Sequence, residues 1–171
     1  MPRSLLLVED NEDDVFFFQM ALRKLALPHP LVIARDGREA MARLGDFLAG
    51  RPGEAPLGLV LLDLKLPYVG GLEVLAWMRT LPGGRFPPVV VLSASEQESD
   101  LQAAYRLGAA SFLVKPNRPE QLTELLRMLD SYWLTQNRLP APPPLLLPEP
   151  KASDEGGYRA PSNSGRTEVA V

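Results

Sequence analysis

Five residues, widely separated along the chain, have side chains that could do chemistry together: Glu9, Asp10, Asp63, Ser93 and Lys115. Each ends or directly follows a short apolar run. SLLLV precedes Glu9 and Asp10, LVLL precedes Asp63, PVVVL precedes Ser93, and SFLV precedes Lys115. Three carboxylates brought close repel one another and resist ionisation unless something positive joins them. Mg²⁺ suits such a place, because it prefers oxygen ligands, keeps several waters, and is commonly held by one or two carboxylates plus phosphate oxygens. With Lys115 reaching in, the charges balance. Such a pocket could accept a phosphoryl group, with the metal and the ammonium neutralising charge that develops on its oxygens. Asp63 would be the nucleophile, and Ser93 the hydroxyl that holds one phosphoryl oxygen.

For these residues to meet, the elements between them must return the chain repeatedly to one edge. The apolar runs at 4–8, 31–34, 59–63, 88–93 and 111–114 are short and continuous rather than alternating, which suits strands buried on both faces of a parallel sheet. Helical spacing lies between them. Val15, Phe18, Leu22, Leu25 and Ala26 fall on one face; segments 37–48, 72–81 and 97–107 follow, the last stopped by Gly108; Leu122, Leu125, Leu126, Leu129 and Trp133 form a final stripe. Five repeats of strand then helix imply an α/β domain with right-handed crossovers and helices on both faces of the sheet. In such sheets functional groups gather outside the carboxyl ends of the strands, near the point where strand order reverses. If the first and third strands are neighbours there, Glu9, Asp10 and Asp63 converge. The second strand ends without an evident reactive group.

The acidic run EDNEDD then divides. Glu12, Asp13 and Asp14 match the partial positive charge of a helix start, and Asp10 could itself be the N-cap with Asp13 answering at the third position. Asp63 ends a run of Val and Leu, where an uncompensated charge is costly, so a site is favoured over a cap. Ser93 and Lys115, taken singly, would be an ordinary turn residue and a surface lysine. His29, in PHP, reads as a loop residue and not as a phosphoacceptor or ligand. Given the face set by Val15, Phe18 and Leu22, the residues Phe16, Phe17 and Met20 point sideways or outward and form an apolar patch beside the acidic pocket. A docking surface is one reading of that patch, and lateral packing against the fifth helix is the other.

At 171 residues and 46% hydrophobic, the chain suits one well-packed domain. Its 18 basic and 21 acidic residues are mixed, giving a net charge of -3 and no electrostatic footprint for nucleic acid or an anionic membrane. The absence of cysteine excludes disulfides, zinc-thiolate sites and thiol catalysis. No run approaches the roughly 20 apolar residues that a membrane span needs, and a cytoplasmic location is expected. Composition changes near residue 139: seven of the 18 prolines lie in residues 140–171, which show no helical or strand period. Residues 1–139 are therefore expected to form the domain and 140–171 a Pro-rich tail or arm, with Leu145 to Leu147 its one apolar cluster.

Four motifs in order at the strand ends give the chain a family likeness. LLVEDN at 6–11, LLDLKLPYVGG at 61–71, VVLSAS at 90–95 and FLVKP at 112–116 resemble the receiver domains of two-component response regulators, and the resemblance spans residues 4 to about 134. It implies the flavodoxin-like, doubly wound five-stranded parallel sheet with strand order 2-1-3-4-5. It implies that Asp63 takes a phosphoryl group from a phosphohistidine on a sensor histidine kinase. Asp10 and Asp63 would bind Mg²⁺ together with the main-chain carbonyl of Lys65, while Glu9 acts through a water. For switching, it implies that the Ser93 hydroxyl moves toward the aspartyl phosphate and that Phe112 turns inward behind it. Lys115-Pro116 is expected to be cis. Lys65 and Ser95 would flank the path of the attacking water, and Phe16, Phe17 and Met20 would meet the kinase helical bundle. The segment at 131–140, SYWLTQNRLP, is similar to the end of receivers that partner phytochrome-type photoreceptor kinases, which implies a homodimer with Trp133 at the interface. The expected protein is a stand-alone phosphoacceptor and signalling protein rather than an enzyme, with output by protein contact, phosphate relay or phosphate sink. Alternatives are a pseudo-receiver acting as a protein-binding module and a Mg²⁺-dependent phosphatase with an aspartyl nucleophile. Against the phosphatase, Lys65 stands where the haloacid dehalogenase group has a second Asp.

Overall fold

The computed structural model describes residues 2–50, 55–81 and 86–139. The expected tail at 140–171, with Leu145 to Leu147, lies outside the described residues. Five strands, β1 (Ser4–Val8), β2 (Leu31–Ala34), β3 (Leu57–Leu62), β4 (Val89–Ser93) and β5 (Ser111–Val114), alternate with α1 (Glu12–Leu25), α2 (Gly37–Leu48), α3 (Gly71–Thr80), α4 (Glu98–Arg106) and α5 (Pro119–Leu129). All strand pairs are parallel and the order is β2-β1-β3-β4-β5, the flavodoxin-like arrangement.

The strands read as unbroken apolar runs because both faces of the sheet are covered. Successive side chains point to opposite faces. Leu6, Val8, Val60, Leu62 and Val91 pack toward Ala40 and Leu44 of α2, Val74 and Met78 of α3, and Ala104 of α4. Leu5, Leu7, Leu59, Leu61, Val90 and Leu92 pack toward Val15, Phe18 and Ala21 of α1 and Leu126 and Leu129 of α5. Each such side chain, fully buried, contributes roughly 1.5–3 kcal/mol, so this two-sided core rather than any local motif holds the carboxyl edge of the sheet in place.

The helix ends refine the sequence reading. Asn11, not Asp10, caps α1: its side-chain oxygen accepts from the backbone N–H of Asp13 at 2.9 Å and of Asp14 at 3.0 Å, which leaves the Asp10 carboxylate outside the helix. Glu12, Asp13 and Asp14 form the acidic first turn, as expected. Ala26 is not on the buried face. It is the left-handed C-cap at φ 50 and is exposed, while Ala21, three residues after Phe18, completes the stripe. The last stripe does not run through one regular helix. After Leu129 the chain widens into a π-helix, Asp130–Gln136, which turns Leu134 into the core and leaves Trp133 half-buried. Gly58 makes room there, since a Cβ on it would sit 2.7 Å from Leu134 Cδ2. His29 is a loop residue, as expected, but its ring is tied down: Nε2 lies 2.9 Å from Asp130 Oδ1 and Nδ1 lies 3.0 Å from the Arg3 carbonyl oxygen.

Gly71 opens α3 directly behind Asp63, and a Cβ there would overlap the Asp63 carbonyl oxygen and come within 2.8 Å of Leu64 Cα. Both neighbours are backbone and cannot rotate aside. Gly71→Ala is expected to cost about 1–3 kcal/mol or more, as overpacking does. The shift in urea midpoint measures the loss, and an unchanged midpoint would show that the loop is softer than this contact implies.

Candidate functional site

Backbone hydrogen bonds carry the sheet ladder one residue past three of its strands. Glu9 N–H donates to Ala34 O at 2.9 Å, Asp63 N–H to Val8 O at 3.0 Å, and Lys115 N–H to Ser93 O at 3.0 Å. Glu9, Asp63, Ser93 and Lys115 are thereby fixed side by side on the carboxyl edge by β1, β3, β4 and β5. Asp63 is 6% exposed, Glu9 3% and Ser93 0%, whereas Asp10 is open to solvent.

Every carboxylate oxygen of Asp63 is engaged. Oδ1 accepts from the Ser93 hydroxyl at 2.8 Å and from the Lys65 backbone N–H at 3.1 Å. Oδ2 accepts from Lys115 Nζ at 2.6 Å. The same ammonium reaches Glu9 Oε2 at 2.6 Å and Asp14 Oδ2 at 2.9 Å, so its three N–H donors meet three carboxylates. Burial works against the Lys115 charge, but the hydrogen bonds to Asp63, Glu9 and Asp14 overcome it and hold the ammonium well above its ordinary pKa. Glu9 is pushed up, first by burial and then by the Asp63 charge, against the pull of Lys115.

One carboxylate oxygen from each of Glu9, Asp10 and Asp63 lies within 4.8 Å of the others. The donors are hard oxygens, and burial disfavours the Glu9 carboxylate while Asp10 opens to water. That set fits a hard divalent cation that keeps part of its hydration shell.

Other predicted residues are distributed around this centre. Phe112 is half-buried against the cluster on the α2, α3 and α4 side. Phe16, Phe17 and Met20 are exposed on α1, as expected from their spacing, and the Phe16 and Phe17 rings meet edge to face at 5.8 Å. Beside them a cavity of about 210 Å³, lined by Phe17, Phe18, Leu122 and Pro119, opens toward Lys115. Trp133, in the π-helix after α5, packs partly against the cluster on the α1 and α5 side and edge-on against the exposed Tyr132. The Lys115-Pro116 peptide is trans, as is every peptide bond among the described residues, which corrects the expectation of a cis bond. Trans is the intrinsically favoured form before proline.

Two participants escaped the sequence reading. Asp14 looked like a helix opener only, and it is one, yet it also binds Lys115. Its signal could not be read, because it depends on where the first turn of α1 lies relative to the end of β5. Asp100, in the first turn of α4, accepts from the Ser95 hydroxyl at 2.5 Å, with Lys65 Nζ 3.4 Å from the same oxygen. The Ser95 bond, with help from the Lys65 charge, holds the Asp100 carboxyl below its ordinary pKa.

A parallel 2-1-3-4-5 sheet whose carboxyl edge presents a buried aspartate to a hydroxyl, an ammonium and two further carboxylates is the arrangement of a receiver. Residues 5–127 match the response regulator receiver domain, and the chain belongs to that family. Over 140 residues it is 38% identical to the response regulator Rcp1 of Synechocystis sp., covering 82% of this chain and 95% of that one. The phosphorylated cyanobacterial phytochrome response regulator RcpA superposes with a TM-score of 0.72 at 37% identity, over 82% of this chain and 100% of that one. The Mn²⁺-bound form of Rcp1 gives 0.68 at 37% identity, with the same coverage. The bacteriophytochrome response regulator AtBRR gives 0.60 at 42% identity, over 81% of this chain and 99% of that one.

Proposed function

We propose that this receiver accepts a phosphoryl group on Asp63 from a phosphohistidine of a sensor histidine kinase, in a Mg²⁺-dependent reaction. The observation that carries the reading is the buried Asp63 carboxylate, held by Ser93, the Lys65 N–H and Lys115 beside Glu9 and Asp10. An Asp63 oxygen attacks phosphorus, the P–N bond to the kinase imidazole breaks, and its electron pair returns to the ring. Ser93 and Lys115 are placed to donate to phosphoryl oxygens as the group arrives. Glu9, Asp10 and Asp63, with the Lys65 carbonyl, would hold Mg²⁺, which would supply further neutralisation of phosphoryl charge. In this reading Ser93 and Phe112 are the switch, with Pro116 shaping the loop after Lys115, and the chain signals through phosphorylation-biased protein contacts. The receiver occupies residues 1–139. No described helix is long and apolar enough to cross a membrane, and we place the protein in the cytoplasm with its kinase.

The similarity to the phytochrome response regulator RcpA and the bacteriophytochrome response regulator AtBRR supports a phytochrome-type photoreceptor kinase as the donor. Trp133, half-buried beside the exposed Tyr132, is the proposed contact of a homodimer. Phe16, Phe17 and Met20, exposed beside the cavity that leads to Lys115, are the proposed kinase contact. Phosphotransfer from such a kinase to the full chain, with and without Mg²⁺, tests the reading. Phe17→Asp should weaken kinase binding at least tenfold, as loss of an aromatic anchor at an interface centre does, while labelling by a small phosphodonor is retained. Equal kinase affinity in the variant would remove this patch from the interface.

A further inference from the structure

Lys115 joins two parts of the molecule that the sheet does not join. Its backbone N–H is fixed to Ser93 O at 3.0 Å just past β5, while its ammonium crosses to Asp14 Oδ2 in the first turn of α1, 2.9 Å away. At this level a cavity of about 210 Å³ lies between α1 and the loop after β5, with Phe17, Phe18, Pro116 and Pro119 in its walls. The ion pair ties the two sides of that cavity together. Phe17 stands one turn after Asp14, so a shift of the first turn of α1 moves its exposed ring. The three carboxylates that share the ammonium differ in how easily it can leave them. The side chains of Glu9 and Asp63 are 4% and 7% exposed, whereas that of Asp14 is 45% exposed. A buried carboxylate deprived of its cation is costly, and a half-exposed one is taken up by water at little cost.

We infer that the Lys115–Asp14 pair is a latch between α1 and the loop after β5, which a phosphoryl group on Asp63 opens by taking the N–H donor that Asp14 holds. The inference rests on the reading of Asp63 as phosphoacceptor. The group brings up to about two negative charges to a residue that Lys115 already meets at 2.6 Å, and all three donors of the ammonium are engaged. One carboxylate has to yield. Asp14 has the longest of the three contacts and the most water around it, so it is the one released. Asn11 continues to cap α1 through the Asp13 and Asp14 N–H groups, and the helix stays formed while its first turn loses its tie to the end of β5. The route runs along the α1 and α5 face of the sheet, opposite to the face on which Phe112 packs. It carries the state of Asp63 to the side of α1 that bears Phe17.

The test is amide hydrogen exchange in residues 12–20 of the full chain, with acetyl phosphate and Mg²⁺ present throughout and the chain with Mg²⁺ alone as reference. Intact mass follows the phosphoryl content in parallel. In the wild type, exchange there should quicken about two- to fivefold on charging, the range a partly exposed ion pair commands. Asp14→Asn should show the quicker exchange before charging and no further change after it. Asp13→Asn removes the same charge from an exposed position in the same turn, so it controls for the helix dipole and should respond as the wild type does. A charged wild-type chain with unchanged or slower exchange, an equal response in Asp14→Asn, or a response lost in Asp13→Asn overturns the latch while leaving Asp63 as the acceptor. Absence of label on the wild-type chain overturns both.

Discussion

Asp63→Asn is expected to abolish phosphoryl incorporation while leaving the fold in place. The substitution keeps Oδ1 as an acceptor for the Ser93 hydroxyl and the Lys65 N–H, so the loop after β3 loses none of those anchors. What it replaces is Oδ2, 2.6 Å from Lys115 Nζ, with an amide NH₂ that is a poor nucleophile and a donor facing a donor. Lys115 retains Glu9 and Asp14, so no buried ammonium is left alone. Removing the Asp63 charge also relieves Glu9, whose proton affinity that charge helps to raise. Label from acetyl phosphate with Mg²⁺ should fall to background with the melting temperature held. Label persisting on the variant would move the acceptor elsewhere.

Lys115→Met should lower stability substantially at neutral pH. The side chains of Glu9 and Asp63 are 4% and 7% exposed, and Lys115 is the cation between them. Taking one partner out of a buried ionic cluster leaves uncompensated charge and costs about 3–5 kcal/mol, with the lower end expected here because Lys115 and Asp14 keep some contact with water. The remedy distinguishes this cause from lost packing. A divalent cation at Glu9, Asp10 and Asp63 would restore the missing positive charge, so Mg²⁺ should raise the urea midpoint of the variant by more than that of the wild type. An equal response in both would show that Lys115 acts through its hydrocarbon stem.

Much of this was legible in the sequence because the sheet is simple and buried on both sides. Runs such as LLLV and VVVL announce parallel strands, and the residue after each must then lie on one edge, which brings Glu9, Asp63, Ser93 and Lys115 together without any knowledge of helix packing. The residues that were missed depend on that packing. Asp14 meets Lys115 only because α1 starts beside the end of β5, and Asp100 meets Lys65 only because α4 begins opposite the loop after β3. Asp10 could be read either as an N-cap or as a site residue because Asp10 and Asn11 are both good caps, and backbone geometry alone gives the cap to Asn11. Ala26 and the break after Leu129 share another cause: a helical stripe says which face is apolar and not where regular winding stops.

The proposed product is a Mg²⁺-dependent acyl phosphate on Asp63. Charging the full chain with acetyl phosphate, with Mg²⁺ or with a chelator, and locating the added phosphoryl group by peptide mass spectrometry reads it out. One hydroxylamine-labile phosphoryl group per chain is expected on the peptide that contains Asp63, present with Mg²⁺ and lost with the chelator. A phosphoryl group found on another residue, or incorporation that proceeds equally in the chelator, would contradict it.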